Sequence, residues 1–425
     1  MKTLLLFANA FPFGSWEPYL ETELPYLTDF DEVRVFSLSV REDQARTRRP
    51  VRHPHATVHP LRFRSRLFYL VAALRVLLDV ELYREVRVLW NQRRLSPGRL
   101  VQLFVFLSRC HHEARAITSM IRKENLVAAD ADVVLYSYRL AYQPYLSELV
   151  ARSLAPRRSV RVARAHRADL YEELAPNGYI PMRKRTLDSL DDIILIAKHG
   201  YDYLASRFPE ALDRMRISYL GSIDRGVGPS PADRETLRIL TCSNVVPVKR
   251  LDRLVDALAL ISDISVSWTH FGDGPLMDGL RDSVKSLPGN VEVHLPGAVT
   301  NVALLEHYAT TPYHVLVNVS ESEGIPVSMM EANSFGIPII ATDVGGVGEI
   351  VETGVNGILL ASEPSFDELA DAIRKIAEMD YEDYASLRSG ARRVWRAKFD
   401  AATNYPRFGR ELLETLNAAS TSVDS

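Results

Sequence analysis

The chain has 425 residues, of which 47% are hydrophobic and 25% charged; this globular composition excludes wholesale disorder, and the length exceeds one ordinary core, so two to three domains are expected. Cys110 and Cys242 stand far apart outside any CxxC pattern, which argues against a disulfide framework or a zinc site and fits a reducing cytoplasm. No apolar run approaches the ~18 residues of a membrane span, and the formal charge of −3 conceals an uneven distribution: positions 41–100 hold fourteen Arg and no Lys against five acidic residues, a local +9 that leaves −12 elsewhere.

Residues 4–8 are a short apolar run that lacks the length of a signal-peptide core and reads as a first buried strand. The loop after it, residues 9–17, holds Pro12, Gly14, Ser15 and Trp16. The carboxyl end of such a strand is where doubly wound sheets place ligands. A helix over 20–27 and a strand over 33–38 follow. His53, His55 and His59 lie among prolines; metal binding is one reading, but loose spacing and the lack of a nearby Cys favour a surface loop. Then Phe63, Leu67, Leu70, Val71, Leu74, Leu77 and Leu78 recur at helical spacing among Arg62, Arg64, Arg66 and Arg75. Such a stripe is either core with solvated arginines or a basic amphipathic surface that meets an anionic membrane.

A helix over 100–123 leads to strands at 132–136, 159–165, 192–197 and 217–220. His166 falls just past the 159–165 strand, with Asp169 three residues on. The Gly- and Pro-rich run at 226–231 reads as a linker. Beyond it the α/β rhythm restarts with a strand at 238–243. Lys249 and Arg250 then open a helix whose core face is Leu251, Leu254, Val255, Leu258 and Ile261. Two cations at a helix start oppose the macrodipole unless an anion binds there. Strands at 266–271, ending in Gly272-Asp273-Gly274-Pro275, and at 291–295 are followed by Asn301 as the expected cap of a helix.

The densest chemistry is at 314–360. A buried run at 315–319 enters a polar turn with Glu321 and Glu323, and Gly324-Ile325-Pro326 opens an apolar helix carrying Glu331. Free N–H groups at that helix start form an anion site. Glu323 and Glu331, separated by seven residues, place one carboxylate at the loop and one deeper in the same cleft. A strand at 337–342, the pair Gly345-Gly346, a capping box from Ser365 to Glu368 and a terminal helix complete the chain.

The run SESEGIPVSMMEANSFGIPIIATDVGG (320–346) resembles the E-x7-E segment of glycosyltransferase family 4, the retaining nucleotide-sugar enzymes. FPFGSWEPYLETEL (11–24) is similar to the first loop of exopolysaccharide- and colanic-acid-type group 1 members, and ARAHRADLYEE (163–173) to the family's RAHG-x-DLYEE motif, with Arg167 where Gly is usual. The resemblance implies a GT-B fold: two Rossmann-like, doubly wound parallel-sheet domains facing a cleft, with a C-terminal helix crossing back to the first. The expected limits are 1–225 for the acceptor-side domain, with its helical Arg-rich segment at 41–125. A linker at 226–231, a donor domain at 232–395, a crossover helix at 396–419 and a disordered tail at 420–425 follow.

It also implies transfer of a sugar from a nucleoside-diphosphate donor to a glycan or lipid-linked glycan, with retention, in cell-surface polysaccharide or glycoconjugate synthesis at the inner membrane face. By the same resemblance His166, Glu323 and Lys249 form the catalytic set, with Glu331 on the ribose and Gly324, Ile325, Pro326, Val327 and Ser328 at the phosphates. Asn244, which stands where many members have Arg, Arg250, Gly272 and Gly274 complete the donor site, and Gly14 and Ser15 form the acceptor or phosphate loop. No cofactor and no metal are expected, because Asp29/Asp31 and Asp130/Asp132, the two DxD strings, precede strands. No nucleic-acid partner is expected. The competing expectation is a non-catalytic subunit that binds nucleotide sugar on the same scaffold.

Overall fold

The computed structural model describes residues 1–65, 68–69, 76–232 and 235–421. They form two compact units, Met1–Ser218 with Tyr405–Ser425, and Tyr219–Asn404.

The first unit is built on seven parallel strands: β1 (Lys2–Ala8), β2 (Glu32–Val40), β3 (Ala56–Arg62), β4 (Asp132–Ser137), β5 (Arg158–Ala165), β6 (Asp192–Leu195) and β7 (Met215–Ile217), in the order β3-β2-β1-β4-β5-β6-β7. Its helices are α1 (Tyr19–Glu23), α2 (Val80–Asn91), α3 (Pro97–Glu124), α4 (Gln143–Leu154), α5 (Arg167–Leu170), α6 (Arg183–Asp188) and α7 (Lys198–Arg207). β1 is apolar along nearly its whole length because it lies mid-sheet with both faces covered.

The second unit carries six parallel strands: β8 (Thr236–Cys242), β9 (Ser265–Phe271), β10 (Val291–Gly297), β11 (Val315–Asn318), β12 (Ile339–Thr342) and β13 (Gly357–Leu360), in the order β10-β9-β8-β11-β12-β13. With them come α8 (Leu251–Ala259), α9 (Met277–Ser283), α10 (Asn301–Thr310), α11 (Val327–Ser334), α12 (Phe366–Glu378) and α13 (Tyr381–Lys398). The last helix, α14 (Ala401–Thr421), returns to the first unit, where Phe408, Leu412, Leu413 and Leu416 pack with Leu4, Leu6, Val134 and Val160. Among the described residues no helix is long and apolar enough to cross a membrane.

Strand order locates the ligand-binding end of each sheet. The first sheet grows from β1 toward β3 and then reverses at β4; the second grows from β8 toward β10 and reverses at β11. A parallel sheet opens a crevice at the carboxyl ends of the two strands on either side of such a reversal. The crevice of the first sheet is therefore bounded by the loops after β1 and β4, and that of the second by the loops after β8 and β11.

Several expectations are corrected. The histidine-containing stretch is no surface loop: it runs into β3, and His53 is buried with Nε2 3.1 Å from the Leu27 carbonyl. Pro60 is accommodated because β3 is an edge strand, hydrogen-bonded on one side only. The units divide before Tyr219, ahead of the Gly/Pro run, because residues 220–222 bond to the chain after α13: Ser222 N–H to Phe399 O, Ala401 N–H to Ser222 O, and Asn404 Nδ2 to Leu220 O. Helix α14 starts at Ala401, and the preceding α13 belongs to the second unit, with Trp395 Nε1 donating to Ser222 Oγ. The cap of α10 is Thr300, whose Oγ1 accepts from Ala303 N–H, and Asn301 is the first helical residue. Of the predicted apolar stripe, Arg66, Leu67, Leu70, Val71, Leu74 and Arg75 lie outside the described residues, and so do the tail residues 422–425.

Candidate functional site

Loops after β8 and β11 meet around Glu323. Its carboxylate is 8% exposed, and Oε1 accepts from Lys249 Nζ at 2.5 Å, Ser320 Oγ at 2.7 Å and Asn318 Nδ2 at 3.1 Å. Glu321 N–H donates to Val248 O, so backbone as well as side chains ties the two loops together. The Gly345-Gly346 turn supports this loop from behind. Gly346 N–H donates to Gly324 O at 2.8 Å, and Gly345, at φ +57°, lies so close that a Cβ there would fall 2.0 Å from Glu323 O. That is why the Gly pair follows the Glu323 motif in the sequence: a side chain at 345 would displace the backbone that holds the carboxylate.

Pro326 is the N-cap of α11, so Val327 and Ser328 are its first two residues and their N–H groups have no intrahelical acceptor. Glu331 lies one turn deeper, 8% exposed, with Oε1 accepting from Asn301 Nδ2 at 2.8 Å. Burial pushes its carboxyl up to about 7, against the opposing effects of the Asn301 hydrogen bond and the Arg225 charge. The stretch carrying Arg225 is pinned to the end of α11. Arg392 bonds Asp224 at 2.5 and 2.6 Å and also the Ser334 carbonyl, while Gly228 N–H donates to Phe335 O. Cys242, at the end of β8, is pushed up to about 12, chiefly by burial and secondarily by the Glu331 charge.

The two cations expected at the helix start have different roles. Arg250 sits at φ +48° as the N-cap of α8. Its guanidinium donates to the carbonyls of Val319 (2.8 Å), Ser320 (3.0 Å) and Ser362 (2.9 Å) and pairs with Glu363. It is a tie between loops, engaged on every side, and this corrects its expected place on the donor. Lys249 is the side chain that faces Glu323. Asn244 is exposed on the same loop. Gly272 and Gly274 pack against the backbone on either side of Asn244, where a Cβ would fall 1.8 Å from Ser243 O and 2.5 Å from Val245 O respectively. Arg225 was not singled out from sequence, and Asn301 was read there only as a helix cap. The only signal for Asn301 was its place at a helix start, which suggests capping and gives no hint of a carboxylate partner.

In the first unit, the loops after β1, β4 and β5 form a second cluster. Glu17, at φ +53°, accepts the N–H groups of Asn9, Ala10 and Phe11 at 2.9, 3.0 and 3.1 Å and so closes the Gly14 loop on itself. Gly14 N–H donates to Thr47 O at 2.8 Å. Arg139 lies 3.6 Å from Glu17 and 3.8 Å from Asp169. Asp169 Oδ1 in turn accepts the His166 N–H at 2.6 Å, fixing the turn that opens α5. Arg167 is the first residue of that helix, where the resembled motif has Gly. The imidazole sits 4.8 Å from the Tyr138 ring with Nε2 closed off from solvent. Burial, reinforced by Arg139 and Arg164, holds His166 well below its ordinary range, so it is neutral at pH 7. Burial also pushes Asp169 up to about 6, opposed by Arg139.

Neither DxD string enters these sites. Asp31 receives the Lys2 N–H, and Asp132 pairs with Arg158 at 2.8 Å, both at the opposite end of the sheet. Among the described residues no group of three His, Cys, Asp or Glu side chains is placed to hold a metal ion.

Residues 227–394 match the family described as glycosyl transferases group 1. An exopolysaccharide phosphotransferase of Streptomyces coelicolor is 27% identical over 278 residues, covering 64% of this chain and 27% of that protein. A GDP-mannose-dependent alpha-(1-6)-phosphatidylinositol monomannoside mannosyltransferase of Mycobacterium tuberculosis is 26% identical over 262 residues, covering 57% of this chain and 67% of the relative. The chain thus spans only about a quarter of the Streptomyces protein. Among solved structures, the Anabaena protein HepE in complex with UDP superimposes with a TM-score of 0.64 at 17% identity, covering 98% of this chain and 100% of that one. Residues 227–394 therefore form a domain of the glycosyl transferases group 1 family, carried in a chain of GT-B fold.

Proposed function

We propose that the chain transfers a sugar from a nucleoside-diphosphate donor to a glycan or lipid-linked glycan acceptor, with retention of configuration, in the synthesis of a cell-surface polysaccharide or glycoconjugate. The observation that carries the reading is the Glu323–Lys249 pair at the opening of α11, with Glu331 one turn deeper. Two carboxylates on one helix-and-loop unit suit two polyhydroxylated groups joined by an anion. Glu331 would accept the ribose hydroxyls and Glu323 those of the transferred sugar. Lys249 and the N–H groups at Val327 and Ser328 would lie at the diphosphate between them.

As the glycosidic bond breaks, negative charge gathers on the leaving diphosphate, and donors fixed in place there lower the barrier without reorganising. In this reading Lys249 and the helix start supply that stabilisation, and the transfer needs no divalent metal. A neutral His166 would line the sugar site without adding a second positive charge to an oxocarbenium-like transition state. The names of the relatives support the class: one acts on exopolysaccharide, one uses GDP-mannose, and a structural neighbour holds UDP.

The test is donor consumption by purified protein across a panel of nucleoside-diphosphate sugars with lipid and glycan acceptors. Wild-type turnover of every accepted donor by both Glu331→Ala and Lys249→Ala would refute the site assignment.

A further inference from the structure

A chain of polar side chains is buried between β8 and β9, and one end of it reaches the loop after β8. Thr241 is 2% exposed, and Trp268 and His270 are 0%. Trp268 Nε1 donates to Thr241 Oγ1 at 2.8 Å, and the same oxygen lies 2.8 Å from His270 Nδ1. An indole N–H can only donate, so the hydroxyl has its own hydrogen to place, and among the described residues His270 Nδ1 is the acceptor in reach. Nδ1 is then the accepting nitrogen and the ring proton sits on Nε2. Burial pushes the imidazole down to about 4, so this neutral form persists at pH 7.

His270 Nε2 is closed off from solvent and turns to the Ser243 backbone. A Cβ on Gly272 would fall 1.8 Å from Ser243 O and 3.0 Å from His270 Nε2, so the carbonyl and the ring nitrogen converge on the space that this glycine leaves free. Ser243 N–H points the same way, to Phe271 O at 3.1 Å. Ser243 is therefore held with its carbonyl toward β9. In a trans peptide the next N–H points opposite to that oxygen. The Asn244 N–H is thus aimed toward β11, into the crevice bordered by Glu323 and the start of α11. Among the described residues it has no hydrogen-bond partner, although the next two N–H groups do: Val245 donates to Asp273 O and Val246 to Asn244 O. A histidine that only filled the core would need Thr241 alone; this one also sets the turn that carries a free donor.

We infer that the Trp268–Thr241–His270 chain fixes the Asn244 main-chain N–H as a further anion donor in the nucleotide site, with His270 as its positioning residue. The inference rests on the transferase reading and deepens it: a phosphate oxygen of the donor is met at position 244 by a main-chain amide, where the side chain carries no charge.

The probe is whichever of UDP, GDP, ADP and dTDP the full chain binds most tightly by calorimetry. In protein labelled with 15N-asparagine, the Asn244 amide signal, assigned by its loss in Asn244→Ser, should shift downfield on saturation. His270→Phe should weaken binding roughly tenfold, the low end for a hydrogen bond to a charged group. His270→Gln, whose side-chain amide can replace the Nε2–H, should restore most of it, and Thr241→Val, which frees the ring to turn, should weaken it in the same direction. A purely structural role would lower the melting temperature of these variants and leave the wild-type Asn244 signal unmoved by nucleotide. Nucleotide binding with an unmoved Asn244 signal, or wild-type affinity in His270→Phe, would overturn the inference and leave the transferase reading standing. Binding of none of the nucleotides by the wild type would overturn both. Should His270→Phe fail to fold, the shift in the wild type decides.

Discussion

Glu331 offers the sharpest test of the donor site, because its ionisation is both unfavourable in the empty protein and required by the proposed ligand. A buried carboxyl raised from 4.5 to about 7 reports that the folded state disfavours the charged form, by about 3 kcal/mol at 1.36 kcal/mol per unit. The groups facing it are Asn301 and Tyr308 on α10, Arg225 on the stretch pinned to α11, and Cys242 at the end of β8. Cys242 is pushed up to about 12 and Tyr308 well above its ordinary value, both away from 7.

The direction follows. Because the folded pKa is raised, the neutral form's advantage is fully present below pH 4.5 and is lost as pH rises through about 7. The empty protein should therefore lose stability over that window, while Glu331→Gln, which cannot ionise, should not show this component of the loss. Ligand binding should run the other way. If the ribose hydroxyls donate to the carboxylate, the dissociation constant of a nucleoside-diphosphate sugar should be about tenfold weaker at pH 6 than at pH 8, following the ionised fraction. Isothermal titration at half-unit pH intervals measures it. The sugar-linked diphosphate carries no terminal phosphate to titrate near 6, and His166 stays neutral across the range. A flat wild-type profile, or an unchanged slope in Glu331→Gln, would refute the reasoning. Asn301→Ala should move the midpoint upward, since it removes the hydrogen bond that favours the charged form.

Lys249→Met and Arg250→Met should separate ligand contact from scaffold. The first should weaken nucleotide binding by about 1.5–3 kcal/mol, as for a hydrogen bond to a charged group, and should cost less stability than the second because Glu323 keeps its Ser320 and Asn318 partners. The second should lower chemical stability by about 2 kcal/mol or more by stranding the carbonyls of Val319, Ser320 and Ser362. Equal effects of the two on binding and stability would show that they are not distinct. Gly345→Ala, which needs a Cβ where Glu323 O lies at 2.0 Å, should abolish binding and cost more than about 1 kcal/mol of stability. Arg164→Met should destabilise the first unit by about 3–5 kcal/mol, because it strands Glu23 in the core. The pair, 3.1 Å apart and both 0% exposed, should be largely restored as a neutral double variant, Arg164→Met with Glu23→Gln; urea melts read both.

What the sequence made legible was periodic or local. Apolar runs marked β1, β4 and β11 because a strand covered on both faces is largely apolar, and the Ser365–Glu368 capping box opened α12 as expected. Glu323 and Glu331 were visible because their positions are fixed by one loop and one helix. What escaped was decided by distant partners. β3 hid behind Pro60, which an edge strand tolerates. Asn301 was read as a cap because the local alternative is the commoner role, while Thr300 filled it and left Asn301 for a carboxylate thirty residues on. Arg164 gave no sign of burial, since nothing near it in sequence announces Glu23 on α1 or Phe408 on α14, whose ring lies 4.2 Å from the guanidinium.

The same logic bears on the charge available for a diphosphate. From sequence, the adjacent cations at 249 and 250 were both placed at the donor, beside a neutral Asn244. The fold removes Arg250 from that account by surrounding it with carbonyls, and it also pairs Lys249 with Glu323 in the empty state. A bound diphosphate would then gain less from side-chain cations than the sequence suggested, and more from the fixed N–H groups of Val327 and Ser328, which carry no counter-charge to displace. Dependence on such amides has a consequence that side-chain substitutions cannot imitate. Val327→Pro deletes one N–H while suiting the first position of a helix, so it should weaken nucleotide binding with α11 intact. Retained affinity in that variant would return the diphosphate to the loop after β8, which carries Lys249.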